Sequence, residues 1–282
     1  MVARNRAHGD AALNEGDGGG VALYDGSVLN AANTIFFDNR ARERGGGALV
    51  ADGTLNLFTD FDPLSNDDTR CMVTENPLWF CAEFRENQAL RLADPTDGEG
   101  GALFIEAAGT VDLTLAALNL NGAEASAPHA YVDGGQLTME NVLAADANPG
   151  RAAVDGLRFE TAGRLVADHL TVGGRGATID YVDGSATGSL THSILWPDGY
   201  AGSGLLLGGG FLPGSCNVGL GVTGAFGGNN VAADPVFVGF YHILGFSPAT
   251  DLCGTALTLD LDLLPRPSGL DGDSGAFEFQ AP

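Results

Sequence analysis

The feature that most limits what this chain can fold into is a short phrase that recurs along it. Gly45-Gly46-Gly47-Ala48-Leu49-Val50-Ala51-Asp52-Gly53-Thr54-Leu55-Asn56-Leu57 reads as a glycine turn, a short apolar strand, an Asp-Gly corner and a second, alternating strand. Aligning on one asparagine brings out the rest of the unit. Asn5, Asn39, Asn87 and Asn121 each follow an apolar residue (Val2, Phe36, Phe84, Leu118) by three positions. The first three are followed by a polar stretch and then Gly18-Gly19-Gly20-Val21-Ala22, Gly45-Gly46-Gly47-Ala48 or Gly100-Gly101-Ala102. Asp-Gly corners recur at Asp25, Asp52, Asp133, Asp155 and Asp183. A unit repeated in one phase is the mark of a solenoid, in which no coil buries its apolar face alone and stacked coils share one core.

The strands alternate. Val111-Asp112-Leu113-Thr114-Leu115 and Gln136-Leu137-Thr138-Met139 put every second residue on an apolar face, as half-buried strands do. Glycine, Asn and Asp at the corners tolerate φ > 0. An Asn at the same corner of successive coils is placed to bond its amide to the next. Gly134, Gly156 and Gly184 stand 22 and 28 residues apart, which suits one turn of a three-faced coil with loops of varying length. The predicted fold is therefore all-β: a right-handed, single-stranded parallel β-helix of about ten coils, about 50 Å long at roughly 4.8 Å per coil. Helical periodicity is missing, against a doubly wound sheet or a (β/α)₈ barrel. An antiparallel sandwich gives the asparagines no reason to recur in phase.

The chain reads as one domain, with coils over 1–228 and a terminal coil plus capping tail over 229–282. A loop insertion interrupts the coils at about 58–83. The four cysteines, Cys71, Cys81, Cys216 and Cys253, show no zinc or haem spacing and fit two disulfides in an oxidising compartment. Three pairings are open; proximity along the chain favours Cys71–Cys81, which pins the insertion, and Cys216–Cys253, which staples the end.

Net charge is −23, and all 13 basic residues are arginine. Such a surface repels nucleic acid and anionic membranes and suits cations, Ca²⁺ above all. It also reads simply as an acidic, solvated surface. No window has the ~18–20 apolar residues of a membrane span. Met1-Val2-Ala3-Arg4-Asn5-Arg6 leads into polar sequence with no secretory signal, so an exported form implies a leader removed or lying upstream. The chain also starts inside a repeat, which leaves either truncation or an open first coil that docks head to tail on another copy.

The apolar-x-x-Asn and Gly-Gly-Ala pairing resembles secreted bacterial β-helix proteins of the pectin-lyase-like fold and the repeats of chlamydial polymorphic outer membrane proteins. Asp234-Pro235-Val236-Phe237, Ser247-Pro248-Ala249-Thr250-Asp251, Pro265-Arg266-Pro267 and Gly275-Ala276-Phe277-Glu278 are similar, in that order, to the tail of "choice-of-anchor Q" bacterial surface proteins. The resemblance implies an exported, extracellular or cell-surface protein. Polysaccharide lyases and hydrolases share this fold. The candidate catalytic cluster is Asp168, His169, Arg175, Asp180 and His192, with Asp183 beside it. The 23-residue spacing of His169 and His192 stacks them on one face. The same residues also read as turn and surface positions, and the Asn-Thr-Asp and Gly-His-Gly motifs of polygalacturonases are absent.

For Ca²⁺, Asp271-Gly272-Asp273 is the candidate ligand pair. Asp94-Pro95-Thr96-Asp97-Gly98-Glu99 is a second acidic loop of the same kind, and neither matches an EF-hand. Trp79 and Trp196 read either as sugar platforms or as core. The leading expectation is an extracellular structural or adhesion module whose partners are other copies of itself or surface glycans. The runner-up is a Ca²⁺-dependent lyase or hydrolase acting on an acidic polysaccharide.

Overall fold

A computed structural model of the chain is all-β. It describes residues 1–7, 16–60, 80–90, 98–147, 156–174, 179–182, 185, 187–197, 205–207, 213–220, 228–239, 241–254, 257–267 and 269–279. Three parallel sheets of twelve, seven and four strands have their strands stacked in sequence order. This is the β-helix the repeats predict. Each coil passes through the third face (Ala48–Val50, Leu103–Ile105, Ala130–Asp133), turns into the first face, rounds a corner into the second, and returns through a short strand. Thr110–Asn119, Gln136–Ala145 and Arg164–Gly173 serve the first two faces without a break. On the second face eight strands stack, from Val2–Ala3 to Val218–Gly219, and Val231 bridges to Val218 beyond them.

Register follows from alternation. Leu55, Val111, Leu137 and Leu165 form one inward column, and Leu57, Leu113, Met139, Ala167 and Leu190 form another. All are buried in a single core with Phe36, Phe84, Phe159 and Tyr181. Like packs on like along the axis: the Phe36 and Phe84 rings stack at 4.5 Å and Phe159 and Tyr181 at 4.9 Å. A one-residue slip would turn every such column outward.

The corner asparagines stack as expected. Asn39 Oδ1 accepts from the backbone N–H and the amide of Asn5, Asn87 Oδ1 from those of Asn39, and Asn121 Oδ1 from those of Asn87, all at 2.9–3.1 Å. The second amide proton reaches a backbone carbonyl: Asn39 to Val2, Asn87 to Phe36, Asn121 to Phe84. Every polar atom of the buried Asn87 side chain is therefore used. A second ladder, without counterpart in the sequence analysis, runs at the other corner. There Leu170 N–H donates to Ser193 Oγ, Ser193 N–H to Asn217 Oδ1, and both the N–H and the amide of Asn217 to Asn230 Oδ1.

The Gly-Gly-Gly phrase is the turn that follows the asparagine corner. Gly45 sits at φ +65, the left-handed region, where a side chain is strained. A Cβ on Gly46 would lie 2.4 Å from the Gln88 carbonyl carbon and from Gly101 O. Only glycine fits both demands.

The tail closes the molecule sideways. Leu261, Ala276 and Phe277 pack on Ala117, Leu143 and Ala145, residues of the second face that lie outside the main core. Gly275 N–H donates to His192 O, Ala276 N–H to Thr171 Oγ1 and Ser274 Oγ to Cys216 O. Arg266 Nη1 donates to Glu278 Oε2 at 2.9 Å and Arg266 Nη2 to Gly275 O, fully buried. The quoted tail motifs thus meet one another: Ser247 bonds Pro235, Asp251 bonds Asp273, and Arg266 bonds Glu278. Cys216–Cys253 staples this segment to the coils. Closing a 37-residue separation is worth about 3–4 kcal/mol on chain entropy. Cys81 is also disulfide-bonded; Cys71, its expected partner, lies outside the described residues, as do Trp79, most of the insertion and Asp94 to Asp97.

Among the described residues Val2–Ala3, Arg6–Ala7, Val21–Leu23 and Val28–Ala32 each pair on one side only. No helix among the described residues is long and apolar enough to cross a membrane. The disulfide is consistent with an oxidising, extracytoplasmic location.

Asn87→Ala removes an acceptor used twice and a donor used twice in a buried setting. Denaturant unfolding should show a loss of about 3–5 kcal/mol. Asn5→Ala, at the exposed end of the ladder, should lose only about 1 kcal/mol. Equal losses at the two positions would count against the ladder.

Candidate functional site

The clearest meeting of reactive side chains lies at the corner between the first and second faces. Pairing of Glu140 with Asp168 and of Asp168 with Thr191 puts these three on adjacent rungs. The corner residues that follow them, Asn141, His169, His192 and then Cys216, all have φ between 45 and 61. The corner thus turns through left-handed backbone at non-glycine residues, and it stacks the two histidines. Their rings lie 4.7 Å apart and 15° from parallel.

Both imidazoles face one carboxylate oxygen. His192 Nδ1 is 2.7 Å from Asp168 Oδ1, with the ring nitrogen as donor, and Thr191 Oγ1 donates to the same oxygen at 2.9 Å. His169 Nδ1 is 3.1 Å from it but out of line for a hydrogen bond. His169 is fully buried, and neither ring nitrogen has a hydrogen-bond partner. Asp168 and His192 open to solvent, with 37% and 18% of their side chains exposed.

Burial pushes the His169 imidazole down to about 4, against the opposing pull of Asp168. Burial also raises the Asp168 carboxyl, but the two imidazoles beside it outweigh that and hold it below the usual carboxylate range. Glu140 is raised, by burial first and then by the charge of Asp168. Arg266 of the tail lies near enough for its charge to act on His169.

Of the other expected members, Asp180 stands on the third face, 3.6 Å from Arg158 and opposite it in register. Arg175 and Asp183 lie outside the described residues. The expected Ca²⁺ pair divides. Asp271 is exposed, whereas Asp273 is buried, with its two oxygens accepting the backbone N–H groups of Asp251 and Phe279. Burial raises Asp273 to about 6. Trp196 is half-buried against the cluster of Ile194 and Val218.

A second feature has no counterpart in the sequence analysis. A surface groove of about 150 Å³ is lined by Arg6, Ala7, Arg40, Ala41, Arg42 and Leu90. Arg6 and Arg40 are register partners on adjacent rungs of the four-stranded sheet, and Arg40 is also bonded to Asp38 at 3.1 Å. The signal available was that five of the thirteen arginines fall within the first 44 residues. Comparison of the chain with protein-family models, curated proteins and solved structures finds no match.

The histidine predicts a pH effect whose sign is fixed. The unfolded chain protonates His169 near 6.5, the folded protein only near 4. Unfolding therefore takes up a proton between those values, and the stability present above 6.5 is lost as pH falls. In urea unfolding at about pH 7 and about pH 4.5, the wild type should lose roughly 2–3 kcal/mol relative to His169→Leu. A pH-independent difference would mean His169 is not held neutral.

Proposed function

We propose that the protein is an extracytoplasmic adhesion module, a stiff β-helix that recognises an anionic glycan in the groove of Arg6, Arg40 and Arg42. The observation that carries this reading is the groove itself. In a chain of net charge −23, guanidinium groups are gathered on adjacent rungs. Like charges directly opposite one another on neighbouring strands are unfavourable, and carboxylate or sulfate oxygens would offset that through paired N–H donors. Ala7, Ala41 and Leu90 supply an apolar floor against which a sugar ring can lie.

The stacked coils, the fully bonded asparagine ladder and the stapled tail suit a module that persists outside the cell. They fit the expected likeness to secreted bacterial β-helix and surface proteins, whose tail motifs here bond to one another. Head-to-tail association of copies, coil on coil, is proposed alongside glycan recognition.

A second reading, hydrolysis or lysis of an acidic polysaccharide, is favoured by the Asp168–His192 pair with Glu140 on the neighbouring rung. That pair offers a base oriented by a carboxylate.

A panel of polygalacturonate, alginate and sulfated oligosaccharides, titrated by calorimetry at low salt, tests the first reading. Binding should weaken as salt rises and fall by about tenfold or more in Arg6→Ala and Arg42→Ala. Binding unaffected by both variants would place the ligand elsewhere. Release of oligosaccharide products, abolished in His192→Asn, would support the enzyme instead.

A further inference from the structure

We propose that Asp168, His169 and His192 form a binding site for one first-row divalent metal ion of the zinc type. Two imidazole nitrogens and one carboxylate oxygen would hold it, with remaining positions open to water. Among the described residues this is the one place where three such donor atoms, one from each residue, come within 4.8 Å of one another.

The three donor atoms lie close enough to share one ion once a ring turns: the two imidazoles are stacked 15° from parallel, so their in-plane lone pairs do not yet converge. Zinc–nitrogen bonds are about 2.0–2.1 Å, so tetrahedral ligand atoms stand about 3.3 Å apart. The two Nδ1 atoms stand 2.7 and 3.1 Å from Asp168 Oδ1. Rotation of the partly exposed His192 ring, with the carboxylate drawn back, would bring both lone pairs onto an ion that takes the place of the proton between His192 and Asp168.

The independent observation is His169. It is fully buried, its two ring nitrogens have no hydrogen-bond partner, and Nδ1 faces the cluster. A buried polar group in that state calls for a partner, and an imidazole lone pair is a preferred ligand for zinc. His129 is buried and unpartnered as well, but among the described residues it belongs to no group of three donors. Thr191, donating to Asp168 Oδ1, orients the carboxylate as outer partners of metal ligands do.

Charge around the site is mixed. Asp168 and Glu140 favour a cation. Arg266, whose charge is felt at His169, opposes one, but its guanidinium is paired with Glu278 at 2.9 Å. Two nitrogens and a single carboxylate select against Ca²⁺, which takes six or more oxygens. The partly exposed Asp168 and His192 leave a path for entry and for a bound water.

The 282-residue chain, stripped with chelator and dialysed, tests the site with Zn²⁺ alone and with Co²⁺ as a coloured substitute. The expected result is one Zn²⁺ per chain by calorimetry. Co²⁺ should give visible absorption bands that Zn²⁺ abolishes, and NMR of the Co²⁺ form should shift two imidazole spin systems strongly. His192→Asn and Asp168→Asn, with folding checked by circular dichroism, should bind Zn²⁺ weaker by about tenfold or more. Asp25→Asn, at an exposed corner far along the chain from the site, should bind as the wild type does. The proposal is overturned if the folded wild type retains neither ion, or if binding survives both ligand variants. Competition by Ca²⁺ at equal concentration would also overturn it. If the variants do not fold, the two shifted imidazoles in the wild type decide the matter.

Discussion

The hydrogen bonds that run along the axis, from one coil to the next, are the constraint on which everything else rests. Main-chain bonds alone fix neighbouring strands laterally but leave a slip of register thinkable. The side-chain amide ladder from Asn5 to Asn121 removes that freedom, because each Oδ1 must receive both the backbone and the amide N–H of the rung before it. Asn39, Asn87 and Asn121 are buried, so a slipped rung would strand several polar groups away from water. Once register is fixed, the apolar columns, the stacked rings and the corner residues all fall into line.

The same register generates the chemistry. A corner that turns through left-handed backbone at non-glycine residues costs about 1–2 kcal/mol per residue, and it points successive side chains along one line. Where an Asn follows the left-handed residue, as after Arg4, Asp38, Glu86 and Leu120, that line is a ladder. Where the left-handed residues are His169 and His192, it is a stacked pair of imidazoles beside Asp168. Where the residue is Cys216, it is the anchor for the tail. The functional candidates are thus variations at positions the scaffold already defines. The tail then seals one face: Gly275, where a Cβ would meet Ile194 and Thr171 at 2.7 Å, lets its backbone lie directly on the coils.

Much of this was legible in the sequence because the repeat is written in residues with narrow physical roles. Asn5, Asn39, Asn87, Asn121 and the glycines at 45 to 47 announce corners, and alternation at 110–114 announces a half-buried strand. The His169–His192 spacing of 23 equals one coil there, so their stacking was readable too. The second ladder was not, since Ser193, Asn217 and Asn230 differ in type and stand at unequal spacings within glycine-rich sequence. Nor was the sideways tail, whose contacts join residues as far apart as Thr171 and Ala276. Asp180 looked close to the cluster in the chain, but a β-helix sends residues eleven or twelve apart to different faces. The register of Arg6 and Arg40 follows from aligning Asn5 with Asn39, but that Arg42 and Leu90 line the same groove only the stack reveals.

Native-state hydrogen exchange measured at single residues addresses the ladder most directly. The backbone N–H groups of Asn39 and Asn87 donate to the next asparagine's Oδ1 rather than to any main-chain carbonyl. They, with the Asn87 and Asn121 side-chain amides, should exchange only with global unfolding, as slowly as the amides of the core strand at 110–119. Exchange of these groups at the rate of an open loop, while the core strand stays protected, would contradict the account.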